Sequence, residues 1–263
     1  MDQEPGGWRG IVFDGHLAAT FLLHVPLPPL PQTPSPQALA RAMRVFPLVG
    51  ACIGGGGGLV YALAVTVGLT PLLAALLALA AISRLTGGLH EDGLADMADG
   101  FGATVPRPRK LEILRDSRIG TFGVLALVFG VTLRAAAVAA VGTKGVDAVV
   151  VALVVAESMG RAAMPLVMRF APPARPDGLG AAVAAADQAK SIVATVIAVA
   201  TALVLALVLL PPGPAGGAGL AMGIAVGWVT VSARRHIGGY TGDVLGAAGY
   251  AAASAVLISL ARA

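Results

Sequence analysis

Long apolar runs separated by short polar segments are the main pattern of this chain. A helix rises about 1.5 Å per residue and the hydrocarbon core of a bilayer is about 30 Å thick, so about 20 apolar residues predict one span. Seven spans are predicted, uncertain by one: 46–68, 71–83, 119–142, 146–168, 191–210, 215–231 and 244–260. The fold class is therefore all-α, a polytopic integral membrane helical bundle.

Two apolar segments do not fit a simple span. The run 71–83 has only 13 residues before Arg84, so we expect its helix to continue into the polar sequence that follows. The apolar stretch 17–30 is interrupted by His24 and by three prolines. We therefore predict that residues 1–45 form a cytoplasmic or interfacial segment, without a cleavable signal peptide, of one membrane-embedded domain covering 1–263.

Composition excludes several other classes of protein. Of the 263 residues, 57% are hydrophobic and 12% are charged, whereas about 25% are charged in a soluble globular domain. The net charge of +4 is not organised into a basic groove with interleaved aromatic residues, so we expect no nucleic-acid partner. The expected surroundings are a lipid bilayer, and a homo-oligomer is compatible with the sequence.

The basic residues predict how the chain is oriented. If the spans alternate, segments 1–45, 84–118, 169–190 and 232–243 share one side and carry fourteen of the eighteen Lys and Arg residues. The other side carries Lys144 and Arg262, while Arg134 and Arg161 lie inside spans. By the positive-inside rule the first side is cytoplasmic.

Three aspartates form the most informative pattern. Asp92, Asp96 and Asp99 stand at i, i+4 and i+7, which places them on one face of a helix. Like charges at this spacing repel each other, and Mg²⁺ removes the conflict because it takes oxygen ligands and commonly bridges carboxylates to substrate phosphates. A solvated acidic face is the ordinary alternative. The position after an apolar run favours function.

His90 lies close to this face in the sequence. On a continuous helix it is turned about 160° from Asp92, which gives weak support to a role as a metal ligand. Contact with phosphate or action as a base is as well supported as ordinary packing or capping. Gly87 and Gly88 would allow the helix to break or a ligand to approach.

A second cluster follows at 115–118. Arg115, Ser117 and Arg118 supply phosphate donors beside Asp116, which is suited to hold an arginine or to complete a metal shell. Six of the chain's fourteen acidic residues and six bases lie between positions 84 and 118, a mixture that suits a metal-pyrophosphate complex. The alternative is a positive-inside flank, which we prefer for Arg107, Arg109 and Lys110.

Two glycine-rich segments are less specific. The turn 238–247 brings Thr241 and Asp243 to the start of the last span, where backbone N–H groups favour anions. The run 54–58 lies inside an apolar span and lacks the Gly-Lys-Ser/Thr ending of a phosphate-binding loop. It predicts close helix packing.

Four segments together resemble the cobalamin synthase family, the membrane-bound adenosylcobinamide-GDP ribazoletransferases of bacterial vitamin B12 biosynthesis. The segments are TGGLHEDGLADMADG (86–100), LEILRDSRIGT (111–121), ARPDGLG (174–180) and GGYTGDVLGA (238–247). The resemblance implies transfer of the adenosylcobinamide phosphate moiety from adenosylcobinamide-GDP to α-ribazole or its 5′-phosphate. It also implies Mg²⁺ and release of GMP, at the bacterial inner membrane. We expect the site to face the cytoplasm, because the aspartates and the turn 238–247 fall on the side that carries most of the basic residues.

The same resemblance assigns residues. Asp92, Asp96 and Asp99 would be the metal-binding acids, and Arg115, Asp116 and Arg118 would handle phosphate. Further motif positions, with individual roles left open, are Arg161, Arg175, Gly178, Gly180, Thr241 and Asp243. The proton of the attacking hydroxyl would pass to His90 or to a free carboxylate.

The chain departs from the family pattern at two places. Leu23 and His24 precede Pro26 where the family usually has Thr-Arg before its proline. The family usually carries a Glu after the position of Ala247, whereas this chain has Tyr250 and Ala253 near that place. Neither departure touches the aspartates.

Three other classes remain as alternatives. A CDP-alcohol phosphotransferase motif begins like the run Asp92-Gly-Leu-Ala but then needs Arg, where this chain has Asp96. A membrane prenyltransferase normally needs two Asp-rich motifs, and only one is clear. A transporter would be expected to scatter its acids over several spans.

Overall fold

The computed structural model describes residues 7–30, 33–185 and 188–262, and the ordered elements in these ranges are helical. The twelve α-helices found there are α1 (Gly7–Leu22), α2 (Pro36–Ala42), α3 (Phe46–Thr66), α4 (Pro71–Thr86), α5 (Leu89–Gly102), α6 (Arg107–Ile113), α7 (Thr121–Val141), α8 (Val146–Phe170), α9 (Leu179–Ala184), α10 (Gln188–Leu209), α11 (Pro212–Ile237) and α12 (Gly242–Ala261). Short 3₁₀ helices follow α2 and α7.

Six helical segments of the described chain are long and apolar enough to cross a membrane. They are Pro36–Thr66, Thr121–Lys144, Val146–Phe170, Ile192–Leu209, Pro212–Ile237 and Gly242–Ala261. The pair α4 and α5 brings the number to seven if it is counted as one broken span. The predicted polytopic helical membrane bundle of about seven spans is thus confirmed.

α4 continues past the apolar run 71–83 only through Arg84 to Thr86, and the chain then turns by 91° before α5 begins at Leu89. The break falls at the two glycines where the sequence allowed one. Gly87 and Gly88 make the turn with φ of 64° and 73°, values that favour glycine because a Cβ is crowded in the left-handed region. The acidic segment therefore forms a separate helix set across the end of α4.

α8 is the central helix of the bundle. Of its most apolar 18 residues, 78% are buried, against 28% for those of α7 and of α10. α3 approaches it closely through Gly50 and Gly54, where an added Cβ would collide with the carbonyl groups of Glu157 and Leu153. Small residues allow this contact, as predicted for the glycine run that begins at Gly54.

α1 packs against the start of the first long apolar helical segment. Trp8, Ile11 and Val12 are exposed along one side. On the other side the buried Asp14 pairs with Arg41 and Arg44, with N–O distances of 2.9 and 2.7 Å. These ion pairs hold α1 in place and leave its apolar side exposed.

Three segments predicted to share one side of the membrane contact each other at one end of the bundle. Arg107 donates to the carbonyl of Ala174 at 3.1 Å, and Arg115 pairs with Asp177 at 2.9 Å. The Ala174 amide donates to the backbone carbonyl of Tyr240 at 2.8 Å. The polar connections after α5, α8 and α11 thus form one surface.

Candidate functional site

A cavity of about 880 Å³ opens at this end of the bundle. It lies between the N-terminal segment, α5, the 114–119 segment and the start of α12. Its polar lining consists of Thr20, His24, Thr86, Asp92, Asp96, Arg115, Asp116, Ser117 and Asp243. The volume is in the range of small-molecule sites.

Carboxylates dominate the charge of the cavity. Asp92, Asp96, Asp116 and Asp243 face a single guanidinium among the described lining residues, that of Arg115. With all carboxylates ionised the lining carries three negative charges in excess. Such a cavity repels a polyanion and attracts cations, because Coulomb energies grow as water is excluded.

The close crossing of α5 and α12 brings these acids together. A Cβ at Gly93 would lie 2.5 Å from the carbonyl oxygen of Asp243, and one at Gly246 would lie 2.9 Å from that of Leu89. Only glycines permit this approach. Asp96 consequently lies within electrostatic reach of both Asp92 and Asp243.

Asp243 is held in place by the turn that precedes α12. The Thr241 hydroxyl donates to its carboxylate at 3.0 Å. The same hydroxyl accepts from the Val244 amide at 3.4 Å as the N-cap of the helix. The glycine-rich turn, a weak signal in the sequence, thus contributes an acid to the cavity.

Asp99 differs from the other two members of the predicted trio. Its carboxylate accepts from the amides of Gly120 and Gly123, at 2.7 and 2.8 Å. These amides open α7, so Asp99 satisfies two N–H groups that have no partner within that helix. It does not line the cavity.

The remaining acids are of the ligand type that Mg²⁺ prefers, but they do not by themselves form a complete metal site. Among the described residues no group of three or more His, Cys, Asp or Glu side chains is arranged to hold a metal ion. Mg²⁺ keeps several waters and usually binds one or two carboxylates together with substrate phosphates. The oxygen-only donors Asp92, Asp96 and Asp243 and the excess negative charge meet that requirement.

The predicted phosphate cluster divides into two ion pairs. Arg115 lines the cavity and pairs with Asp177, and both side chains are exposed. Arg118 is 85% exposed and outside the lining, and donates to both oxygens of Asp116 at 3.0 and 2.7 Å. These hydrogen bonds lower the pKa of Asp116 to about 2, so this carboxylate stays ionised at neutral pH.

Two predicted site residues lie away from the cavity. His90 is 3% exposed and packs its ring against Gly249 of α12. Arg161 is 2% exposed and donates to Glu157, one helical turn earlier in α8. Both are turned toward the interior of the bundle, so neither borders the cavity with Asp92.

The other motif positions organise the polar surface. Arg175 donates to the Leu111 carbonyl at 2.6 Å, and desolvation lowers its pKa while the charge of Asp243 opposes that change. Gly178 adopts φ of 92° just before α9. The Gly180 carbonyl accepts from the Tyr240 hydroxyl at 3.0 Å.

The N-terminal segment also lines the cavity, which the sequence pattern did not predict. Thr20, Phe21 and His24 line the cavity, so the segment that departs from the family pattern borders the site. The His24 amide donates to the Leu85 carbonyl at 2.7 Å. A possible signal was the break of the apolar stretch by His24 and the prolines, which prevents a span.

Lys110 was assigned to a positive flank, but it is buried. Its ammonium group donates to the carbonyls of Gly100, Phe101 and Ala103, at 3.3, 3.3 and 2.7 Å. A cation at this place stabilises the C-terminal end of α5. The lysine thereby fixes the end of the acidic helix opposite to the glycine turn.

Fold and site together define a multi-pass helical membrane protein with a carboxylate-lined cavity at the polar end of its bundle. A family model described as cobalamin-5-phosphate synthase matches residues 15–261. The chain belongs to this family. No solved structure gives a significant match.

Relatives named adenosylcobinamide-GDP ribazoletransferase match along most of the chain. The protein of Bradyrhizobium diazoefficiens is 44% identical over 239 residues, which cover 91% of this chain and 89% of the relative. Those of Azorhizobium caulinodans and Rhizobium etli are 40% and 38% identical, and cover 90% and 94% of this chain and 90% and 95% of the relatives. The predicted family is confirmed, and the phosphotransferase and transporter alternatives are not favoured.

Proposed function

We propose that this protein is a transferase that joins the adenosylcobinamide phosphate moiety of adenosylcobinamide-GDP to α-ribazole or α-ribazole 5′-phosphate and releases GMP. The names of the relatives supply the reaction. The observation that carries the proposal is the cavity that is lined by four carboxylates and by Arg115. Displacement at a pyrophosphate needs neutralisation of charge and in-line placement more than covalent help.

The charge of the cavity supports Mg²⁺ as the cofactor. A pyrophosphate diester brings about two further negative charges to a lining that has an excess of three when all its carboxylates are ionised. When bound, Mg²⁺ supplies positive charge to the phosphate oxygens and to the leaving GMP. Asp92, Asp96 and Asp243 would hold it, and Asp99 would serve as the cap of α7.

Arg115 is the candidate ligand for a substrate phosphate. Its guanidinium is at the cavity and exposed, and its present partner Asp177 is an exposed carboxylate on the polar surface. A phosphate presents the same pair of acceptor oxygens as a carboxylate, with more charge. The phosphate would therefore replace Asp177 on Arg115.

Two of the candidate general bases are poorly suited to the role. A carboxylate with a pKa of about 2 is a weak base at neutral pH, which argues against Asp116. His90 is buried away from the cavity lining. Because Mg²⁺ usually binds one or two carboxylates, the proton acceptor is then the member of Asp92, Asp96 and Asp243 that the ion leaves free.

We place the protein in the bacterial inner membrane with the cavity open to the cytoplasm. The basic residues of the segments that line and surround the cavity support this orientation through the positive-inside rule. The proposal requires no second copy of the chain, although a homo-oligomer is compatible with it.

The test is release of GMP from adenosylcobinamide-GDP by the full chain purified in detergent. We expect release only when α-ribazole or its 5′-phosphate and Mg²⁺ are both present, and comparison of the two acceptors identifies the preferred one. Asp96→Asn serves as the inactive control. GMP release that is independent of the acceptor, or that persists in excess chelator, would contradict the proposal.

A further inference from the structure

A buried group of charges lies behind α5, away from the cavity. Glu157 of α8 accepts from Arg134 of α7 and from Arg161 of α8, and the exposed fractions of the three side chains are 1%, 4% and 2%. Glu157 is near the middle of a 25-residue span. Charges at such depth are expensive even when they are paired, so their presence calls for a role.

The group reaches α5 through the first turn of that helix. Glu91 and Tyr250 are within electrostatic reach of Arg134, whose guanidinium lies 4.7 Å from the centre of the Tyr250 ring. A Cβ at Gly249 would lie 2.7 Å from the His90 ring and 3.3 Å from the Gly160 carbonyl oxygen, so His90 packs beside the residue that precedes Arg161. Residues 90 and 91 immediately precede Asp92, so the buried charges abut the segment that presents the acids.

The net charge of the buried group is balanced by a residue of α5. Two arginines and Glu157 leave one positive charge in excess, and the carboxylate of Glu91 balances it. Glu91 is also the acceptor of a 2.6 Å hydrogen bond from the Ser83 hydroxyl of α4. Glu91 is therefore a residue of the acidic helix α5 that is hydrogen-bonded to Ser83 of the preceding helix. It also interacts electrostatically with the buried Arg134.

The orientation of α5 needs such support. The turn of 91° at Gly87 and Gly88 interrupts the helix between α4 and α5, so helix continuity does not fix how α5 rotates about its axis. Contact with α12 limits the distance of α5, because Gly93 lies against the backbone of that helix. The first turn of α5 is held by the hydrogen bond from Ser83 to Glu91 and by the packing of His90 on Gly249, and the buried charges lie behind these two contacts.

We propose that Glu157 is a positioning residue, which joins Arg134 and Arg161 into a buried platform that orients the first turn of α5 and so directs Asp92 and Asp96 into the cavity. The kinetic part of this inference rests on the proposed function. Glu157 acts through the arginines and touches no substrate.

The decisive variant replaces the whole platform by apolar residues, Arg134→Met, Glu157→Leu and Arg161→Met combined. Such replacements of a buried ionic triad are often neutral or stabilising, so we expect wild-type thermal stability in detergent. We expect kcat to fall by about 10- to 100-fold with little change in KM, because the acids are misplaced relative to the reacting phosphate. Wild-type kcat in the stable triple variant would overturn the proposal.

A second readout does not depend on the reaction. In a Cys52→Ser background, Leu89→Cys places a thiol on the first turn of α5 at the cavity. Its rate of maleimide labelling without substrate should change several-fold when the platform is replaced, since the turn is reoriented. An unchanged labelling rate would overturn the proposal, whereas absence of GMP release by the wild type would instead count against the proposed function.

Glu157→Asp covers the case in which the triple variant fails to fold. It keeps the charge but withdraws the carboxylate by one methylene, so neutralisation is retained and geometry is not. A lower kcat at near wild-type stability supports positioning, and wild-type kcat and labelling contradict it. Asp147→Asn, which removes an exposed carboxylate from the first turn of the same helix, is the matched control and should leave both readouts unchanged.

Discussion

Asp99 and Asp92 occupy equivalent places in the sequence pattern but different places in the structure, and substitution by Asn separates their roles. Asp99 accepts from two backbone amides at the start of α7, at 2.7 and 2.8 Å. An Asn side chain keeps one acceptor oxygen and turns an NH₂ group toward the second amide. Asp99→Asn therefore leaves one buried donor without a partner and removes a negative charge from a helix N-terminus.

The size of the effect follows from these two losses. A hydrogen bond to a charged group contributes about 1.5 to 3 kcal/mol, and a charge at a helix N-terminus adds about 0.3 to 1 kcal/mol. We expect Asp99→Asn to lower the free energy of unfolding by about 2 to 4 kcal/mol. For a chain of this size that corresponds to roughly 4 to 16 °C in the thermal midpoint.

Asp92→Asn should behave in the opposite way. Its carboxylate lines the cavity and repels that of Asp96, so removal of the charge leaves the midpoint unchanged or raises it. Activity should be mostly lost, with a higher Mg²⁺ concentration needed for half-maximal GMP release.

The assay for both variants is thermal unfolding in detergent beside a Mg²⁺ titration of activity. Asp99→Asn should show a lowered midpoint and, at a temperature where it is folded, a Mg²⁺ dependence close to that of the wild type. A wild-type midpoint combined with a raised Mg²⁺ requirement would show that Asp99 is a metal ligand and that its contacts with α7 are incidental.

Three further predictions concern the site and its orientation. Asp96→Asn should insert and unfold like the wild type but lose most activity, as measured by GMP release and thermal unfolding; near-normal turnover at low Mg²⁺ would contradict this. Arg115→Lys should lose about 1 to 3 kcal/mol of transition-state stabilisation, visible in kcat and KM, because lysine lacks the planar guanidinium group. The exposed Arg118 should tolerate lysine better. Equal losses in the two lysine variants would refute this distinction. In sealed cells a cysteine at Pro108 should be labelled only after the membrane is opened and one at Thr143 from outside; the reverse pattern would refute the cytoplasmic orientation.

Apolar run length was sufficient to predict the bundle because each span must satisfy its own backbone in lipid. It did not locate the end of α4, because a count of apolar residues takes no account of the break that Gly87 and Gly88 allow. The sequence contained the relevant signal in the two adjacent glycines. Run length alone could not show that the chain turns there, because the turn depends on the packing of α5 against α12.

The acidic face was predictable only in part. A spacing of four and seven residues fixes which side chains share a face of α5, and Asp92 and Asp96 do line one cavity. It does not fix what lies opposite each turn of that face. Asp99 meets the amides of α7, and the place beside Asp96 is filled by Asp243 from a helix that begins 140 residues after Gly102.

A count of the charges inside the spans would have indicated Glu157 as a partner of the buried arginines. Arg134 and Arg161 were noted as charges at membrane depth, and a buried guanidinium requires a carboxylate or comparable acceptors. Glu157 precedes Arg161 by four residues, which places both on one face of the same helix. The pair was therefore available from spacing. Its link to Arg134 was not, because that contact is set by how α7 packs on α8, and the orientation of the acidic helix is tied to this same packing through Glu91.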